Sequence, residues 1–426
     1  MDNEYIVRHA ESDDDGRKLK EFFSEIFHPE NVGTLAETMF HHLPRMKKEY
    51  WFIAEEKKTS DIVSAFALIP WTWEMEGIRL RVAEMGIVGT RKDHRNKGFQ
   101  TMLNRAFDNT LEEEEFDIAV IQGIPGFYHN FGYYYAVSFE NHINMPPHAI
   151  PDEYGKDGYI FRSASLEDIP YLMQEDEKYR ASFLVSVFRD EANWKYLLDQ
   201  SLGTEYGSEY LIIENAQKKE KFYCRMPFEG FGQGLIISEI SACISHDALT
   251  HLLAFCKQKA VERNKPYIRL NLHNDSVPGR IAISMGAEKG RPYAWQIKIP
   301  DKVSLLKNIA PILEKRMKNS CFENFSGILR LDFFKTKTDM IWNEGRLESV
   351  MPGGKEDCHS TFCVNADMFP ALCLGHRTWQ ELQYVRPDIF PGTQYVRPNL
   401  YAASDKSGLL ADTLFPSGKS WVYEQY

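Results

Sequence analysis

Short apolar runs bounded by polar turns predict strands at residues 50–55, 61–68 and 80–88, with a polar hairpin between the first two. Residues 101–111 then read as a helix ending in the acidic run Glu112 to Glu115, the solvated end of that helix. Residues 116–122 form an almost wholly apolar run, as expected of a strand covered on both faces. A first strand at residues 5–10, an acidic turn and an amphipathic helix precede this block, and the same opening recurs at residues 159–164. The echo returns further on, where Phe131-Gly132-Tyr133 is matched by Met285-Gly286-Ala287, each after a strand and a short connection. Past Asp301 the pattern changes. Residues 303–316 place Leu305, Leu306, Ile309, Ile312 and Leu313 on one side of a helix. Residues 327–332 and 339–342 read as strands with a turn at 343–345, and 366–375 as a helix stopped by Gly375.

The connection between the strand at 80–88 and the helix at 101–111 carries chemistry. It runs Val88-Gly89-Thr90 and on through Arg95, Asn96, Lys97, Gly98, Phe99 and Gln100. N–H groups at a helix start have no partner within the helix, and the helix dipole adds about half a positive charge there. Anions settle against such an end. Arg95 and Lys97 add full charges, and Gly98 leaves no side chain between the amides and an oxyanion. The turn is suited to a pyrophosphate.

The spacing Arg95-x-x-Gly98-x-Gln100 resembles the Gln/Arg-x-x-Gly-x-Gly/Ala signature with which GCN5-related N-acetyltransferases, the GNAT superfamily, hold the pyrophosphate of acetyl-CoA. Gln100 departs from it: a glutamine must point its side chain away or fill space differently where the family has Gly or Ala. The segment Gly126-Phe127-Tyr128-His129-Asn130-Phe131-Gly132-Tyr133 resembles the family's FY..FGY element, a short helix and turn after the fifth strand. The resemblance implies that Tyr128 is the general acid meeting the departing thiolate; an unperturbed phenol titrates near ~10. It also points to Glu84, at the offset from Arg95 where many members carry a catalytic glutamate, beside which a strand glutamate on a solvated face stays open.

A chain of 426 residues is long enough for two to four domains. The echo suggests a second GNAT-like unit, yet after residues 234–240 the chain reads Ser241 to Asp247, with no basic glycine turn. The ending Ala411 to Pro416, with Trp421, resembles the close of a sterol-carrier-protein-like domain. An active GNAT (1–155), a degenerate GNAT (156–300) and a sterol-carrier-like tail (301–426) resemble the Eis-type (enhanced intracellular survival) acetyltransferases. The expected class is α/β with α+β character: tandem GNAT folds with mixed central sheets, then a sterol-carrier-like α+β domain. In that type the final carboxylate reaches the first domain's site, which implies Tyr426 as an alternative to Glu84 for taking the amine proton. Three aromatics among the last six residues favour burial of this end. The resemblance implies acetyl-CoA as co-substrate, and transfer of acetyl to a primary amine by direct attack in a ternary complex. The acceptor would be an aminoglycoside, polyamine or lysine side chain, and the assembly a homo-oligomer, a hexamer among its forms. The alternative reading is a non-catalytic acyl-CoA or lipid-binding protein.

Composition adds bounds. No apolar run approaches membrane-spanning length, and residues 1–15 are too polar and acidic for a signal peptide, so a cytoplasmic protein with no membrane partner is expected. Seven cysteines without a C-x-x-C pair suit a reducing compartment. Cys358, His359, Cys363, Cys373 and His376 are close in sequence but fit no common zinc spacing, and no metal is expected. A net charge of -11 disfavours nucleic acid and suits a cationic amine. Trp71, Trp73, Tyr133, Tyr134 and Tyr135 could line a pocket for such an amine by cation-π contact or pack in the core.

Overall fold

The alternation of side chains along the early strands makes a sheet with two apolar faces. The computed structural model describes residues 4–139, 142–151, 158–230, 232–354, 358–391, 406–423 and 426. Its first segment contains β1 (Tyr5–His9), α1 (Asp13–Ile26), α2 (Val32–His42), β2 (Trp51–Glu56), β3 (Ile62–Met75), β4 (Ile78–Thr90), α3 (Phe99–Glu113), β5 (Ile118–Ile121), β6 (Tyr134–Phe139) and β7 (His142–Met145). Phe52, Phe66, Leu68 and Met85 pack on one face with Phe99, Leu103 and Phe107 of α3. Trp51, Ile53, Ala65, Ala67 and Ile69 point the other way, into a core with Leu19, Phe22 and Phe23 of α1 and Leu35 and Met39 of α2. Burial on both faces explains the unbroken apolar runs.

The second segment contains β8 (Ile160–Ser163), α4 (Ile169–Arg180), β9 (Val185–Val187), α5 (Glu191–Leu198), β10 (Ser208–Asn215), β11 (Glu220–Pro227), β12 (Leu235–Ile237) and β13 (Glu239–Ile240). It continues with α6 (His246–Glu262), β14 (Ile268–Asn271), α7 (Val277–Ser284), β15 (Glu288–Lys289) and β16 (Tyr293–Lys298). The fold is mixed α/β. Its first sheet runs β1-β2-β3-β4-β5-β16-β6, with β9 also on β3, while the second segment builds the sheets β13-β11-β10-β8 and β12-β14-β7-β15.

That order contains a reciprocal exchange. Strand β16 lies between β5 and β6, antiparallel to both, although it comes from the end of the second segment. Strand β7 of the first segment lies between β14 and β15. Residues on either side of 155 therefore share sheets, whereas the described strands after 300 form a sheet of their own.

The echo seen in the sequence reaches the side chains. Ser12 with Asp15, and Ser165 with Asp168, form capping boxes after the first strand of each unit. Arg8 donates to Asp15 at 2.7 Å and to Glu55 at 2.5 Å, and Arg162 donates to Asp168 at 2.7 Å and to Glu214 at 3.2 Å. Gly132 and Gly286 both take positive φ, +85° and +103°, at matching turns.

The third segment contains α8 (Lys302–Asn308), α9 (Ala310–Lys318), β17 (Gly327–Asp332), β18 (Lys337–Asn343), β19 (Arg346–Pro352), β20 (Ser360–Cys363), α10 (Phe369–Cys373), α11 (Trp379–Val385), β21 (Phe390–Pro391) and α12 (Lys406–Leu414). The single helix expected over 303–316 is two helices that meet at Ile309. Pro311, in the first turn of the second, lacks the N–H that would bond back and crowds the carbonyl four residues before it. The third segment docks on the first: Asn308 Nδ2 donates to both Asp117 oxygens at 3.0 and 3.1 Å, and Arg316 pairs with Glu76. Among the described residues no helix is long and apolar enough to cross a membrane.

Hydrogen bonding from Arg162 holds the Asp168 carboxyl below the usual carboxylate range, with help from the Ser165 N–H and against the penalty of burial. A depressed folded-state value stabilises the fold above the unfolded-state value, ~3.9, and that contribution disappears as pH falls toward the folded-state value. Asp168→Asn is expected to cost about 1–2 kcal/mol at pH 7, with the gap to the parent closing below about pH 3. Urea unfolding at both pH values checks this.

Candidate active site

Strands β4 and β5 are parallel and paired only at Val82↔Ile118, Ala83↔Ala119 and Glu84↔Val120. Beyond Glu84, β4 continues along β3 to Thr90, and β5 no longer follows it. A register shift against β3 between Ala65 and Ala67, with φ of +53° at Ile87, marks a bulge just past the parting. The sheet opens there, leaving one edge of β4 from Met85 onward for another extended group.

The basic turn stands at the far end of this opening. Gly89 and Thr90 are fastened to β3, since Ser64 Oγ donates to the Gly89 carbonyl at 3.0 Å and lies 2.8 Å from Thr90 Oγ1. Val88 is half-buried and packs on the α3 side of the sheet. Arg95 and Asn96 are exposed. Gly98 precedes α3 with φ of +76° and no side-chain cap, and a Cβ placed on it would have no atom within 4 Å. It is glycine for its left-handed backbone, and the space beside it is open. Lys97 Nζ turns back to Tyr5 Oη at 3.0 Å, and Tyr5 packs edge-on against the buried Phe99. Gln100 sends its amide toward Met85, with Nε2 3.6 Å from Sδ, so the departure from Gly or Ala is absorbed along β4.

Glu84 is buried, with 2% of its surface exposed, and its Oε1 accepts from Tyr426 Oη at 2.9 Å. Tyr426 thus meets the glutamate through its phenol, while its main-chain oxygen accepts from Arg225 Nη2 at 3.4 Å. The Tyr426 ring stands edge-on to Trp71 at 5.8 Å and to Tyr206 at 4.9 Å between ring centres. The tail reaches this point along the second segment. The Leu184 N–H donates to the Lys419 carbonyl and the Trp421 N–H to the Val185 carbonyl, and Tyr423 stacks on Tyr179 at 4.2 Å.

Tyr128 opens the short turn Tyr128–Phe131, which Gly132 closes with φ of +85°. Its ring lies on Gly123, where a Cβ would come within 2.2 Å of the tyrosine. The Gly123 carbonyl accepts from Tyr293 Oη at 2.9 Å and Gln296 Nε2 at 2.8 Å, both on the exchanged strand β16. Gly123 is three residues beyond Val120, the partner of Glu84, or about 10 Å along an extended chain. Burial pushes the Tyr128 phenol up to about 12. Glu84 and Tyr128 are thus carried on either side of the opening, with the basic turn at its end.

The aromatic candidates divide. Trp73 and Tyr133 are fully buried core residues, Trp71 is buried against Tyr426, and Tyr134 is half-buried on β6. Tyr135 lines a separate cleft of about 650 Å³ with Met368, Leu382 and Tyr384 of the third segment. Among the described residues no three His, Cys, Asp or Glu side chains gather as metal ligands, and Cys363 and Cys373 are buried. Sequence reasoning missed Arg225 and Tyr206. A signal existed for the first: Arg225 stands between the apolar residues Cys224 and Met226 within a strand, a place where a charge is buried only when paired.

Residues 7–136 match the family described as Acetyltransferase (GNAT) domain. No curated protein matches the chain in sequence. Among solved structures, a probable N-acyltransferase of unknown function from Enterococcus faecalis is similar with a TM-score of 0.70 at 11% identity, covering 99% of each chain. A GCN5-related N-acetyltransferase from Anabaena variabilis gives 0.65 at 14% identity, over 98% of this chain and 99% of its own. Eis1 from Mycobacterium abscessus gives 0.59 at 13% identity over 99% of each chain. Residues 7–136 are thus similar to a GNAT acetyltransferase domain, and over almost its whole length the chain shares the fold of a GCN5-related N-acetyltransferase.

Proposed function

We propose that the protein transfers acetyl from acetyl-CoA to a primary amine, with chemistry in the opening between β4 and β5. The observation that carries this reading is a buried carboxylate where the two strands part and a buried phenol over Gly123, about 10 Å further along the chain from its strand partner. The basic turn from Arg95 to Gln100 would take the pyrophosphate on the first N–H groups of α3, with Arg95 supplying charge. The arm between pyrophosphate and thioester carries amides, which would add along the unpaired edge of β4 as a further strand does. An amine nitrogen attacking the thioester carbon forms the C–N bond and must give up a proton. Glu84 would take that proton through the Tyr426 hydroxyl, which already donates to it at 2.9 Å. As the C–S bond breaks, Tyr128 would give its proton to the sulfur, leaving an amide and free CoA thiol. Charge balance across the protein suits a cationic acceptor, since the net charge is -11.

Incubation with acetyl-CoA and a panel of polyamines, aminoglycosides and lysine peptides, reading free thiol, tests the reaction; no thiol above the hydrolysis rate with any amine would remove it. Tyr128→Phe is expected to lower kcat by about 10²–10⁴-fold with KM for acetyl-CoA little changed, and an unaltered rate would dismiss it as the acid. Because its phenol is pushed up to about 12, Tyr128 stays protonated through pH 10, and no basic limb of the parent's rate profile between pH 7 and 10 should vanish in that variant. Arg95→Ala should raise KM for acetyl-CoA roughly tenfold while sparing kcat, as loss of a charge-assisted contact to the cofactor alone requires.

A further inference from the structure

The second segment has no basic glycine turn, yet a line of buried charges runs through it to the candidate site. Arg180 pairs with Glu74 of β3 at 3.2 Å and with Asp176. Asp176 accepts from Arg189 Nη2 at 2.9 Å, and Arg189 places Nη1 and Nη2 on the two oxygens of Glu239 at 2.8 and 2.9 Å. Arg225 Nη1 reaches Glu239 Oε1 at 3.3 Å, Nε donates to Ser208 Oγ at 2.9 Å, and Nη2 donates to the main-chain oxygen of Tyr426 at 3.4 Å. The side chains of Arg189 and Glu239 are 0% exposed, and those of Arg225 and Asp176 1%. Burial alone would raise the Glu239 carboxyl, but Arg189 and then Arg225 outweigh it and hold it ionised. Such groups sit in one arrangement, because a displaced guanidinium would leave a carboxylate buried without its partner.

We infer that Arg225 is a positioning residue for acetyl transfer: braced by Glu239 and Arg189, it holds the Tyr426 backbone so that the Tyr426 phenol stays on Glu84. The inference rests on the transfer reading above and gives the unit without a phosphate turn a part in the reaction. The tail has other attachments, the Trp421 amide on Val185 and the Tyr423 ring on Tyr179, but these fix its path before the last residues. Arg225 acts on the residue that touches the glutamate. A loss of about 1 Å in placing such a group is enough to cost on the order of a hundredfold in rate.

The experiment compares Arg225→Met, Arg225→Lys and Arg162→Met in the full chain. Arg162 makes an ion pair in the same segment, with Asp168, its side chain 39% exposed against 1% for Arg225. Arg225→Met should lower kcat by about tenfold to a hundredfold with KM for acetyl-CoA within about twofold, Arg225→Lys should recover most of that loss, and Arg162→Met should leave kcat unchanged. Hydrogen exchange of the peptide ending at Tyr426 should quicken in Arg225→Met and in neither other variant. A tail as protected in Arg225→Met as in the parent overturns the anchoring, whatever the activity. A loosened tail with an unchanged kcat overturns the positioning role, and so does an equal loss of kcat in Arg162→Met. If the parent itself releases no thiol with any amine, the transfer reading fails, and the exchange data still decide whether Arg225 holds the tail.

Discussion

Strand β5 must leave β4 and still have a hydrogen-bonding neighbour. A short, wholly buried strand cannot hold its place with both edges open, since its unpaired amides would lie away from water. The parting from β4 after Glu84 is possible because β16 supplies the other edge, pairing Gln296, Ile297 and Lys298 with Ile121, Val120 and Ala119. The same strand fixes the end of the opening. Tyr293 and Gln296 hold the Gly123 carbonyl beneath Tyr128, and Lys298 reaches Asp108 of α3 at 2.6 Å. The first unit's candidate site is therefore built on a strand from the second unit.

A second dependence comes from the other end of the chain. One continuous apolar core runs from Phe22 and Trp51 in the first segment through Leu305 and Leu372 in the third to Trp421 and Tyr426. The tail is the last part of that core and crosses the second segment on its way. Residues from three segments meet around Glu84, and a carboxylate so enclosed is held by polar partners from outside its own strand.

Much of the first unit was legible because its signals are local. The apolar runs of β2 to β5, the turn from Arg95 to Gln100 and the glycine at 132 each depend on residues close in sequence, and their backbone dihedrals follow from them. The exchange was not legible. Alternation along β6, β7, β15 and β16 reports a covered face and says nothing of what covers it, so it does not assign these strands to a sheet. Tyr426 divides in the same way. Aromatic content announced burial of the tail, but the meeting of its phenol with Glu84 rests on contacts far apart in sequence. Pro311 was a plain signal for the break at Ile309, outweighed by a stripe of leucine and isoleucine that stays in phase across it.

The exchange also imposes an order on synthesis. When residue 155 leaves the ribosome, β5 has an open edge and β7 has no sheet to enter; both vacancies last until residues 268–298 have emerged. Over that interval the nascent chain displays apolar strands with unpaired backbone, the kind of surface that chaperones cover and neighbouring chains capture. Pairings so distant in sequence also slow closure of the sheet. An arrangement in which one unit completes the other's candidate site thus leaves the half-made protein with strand edges to be covered.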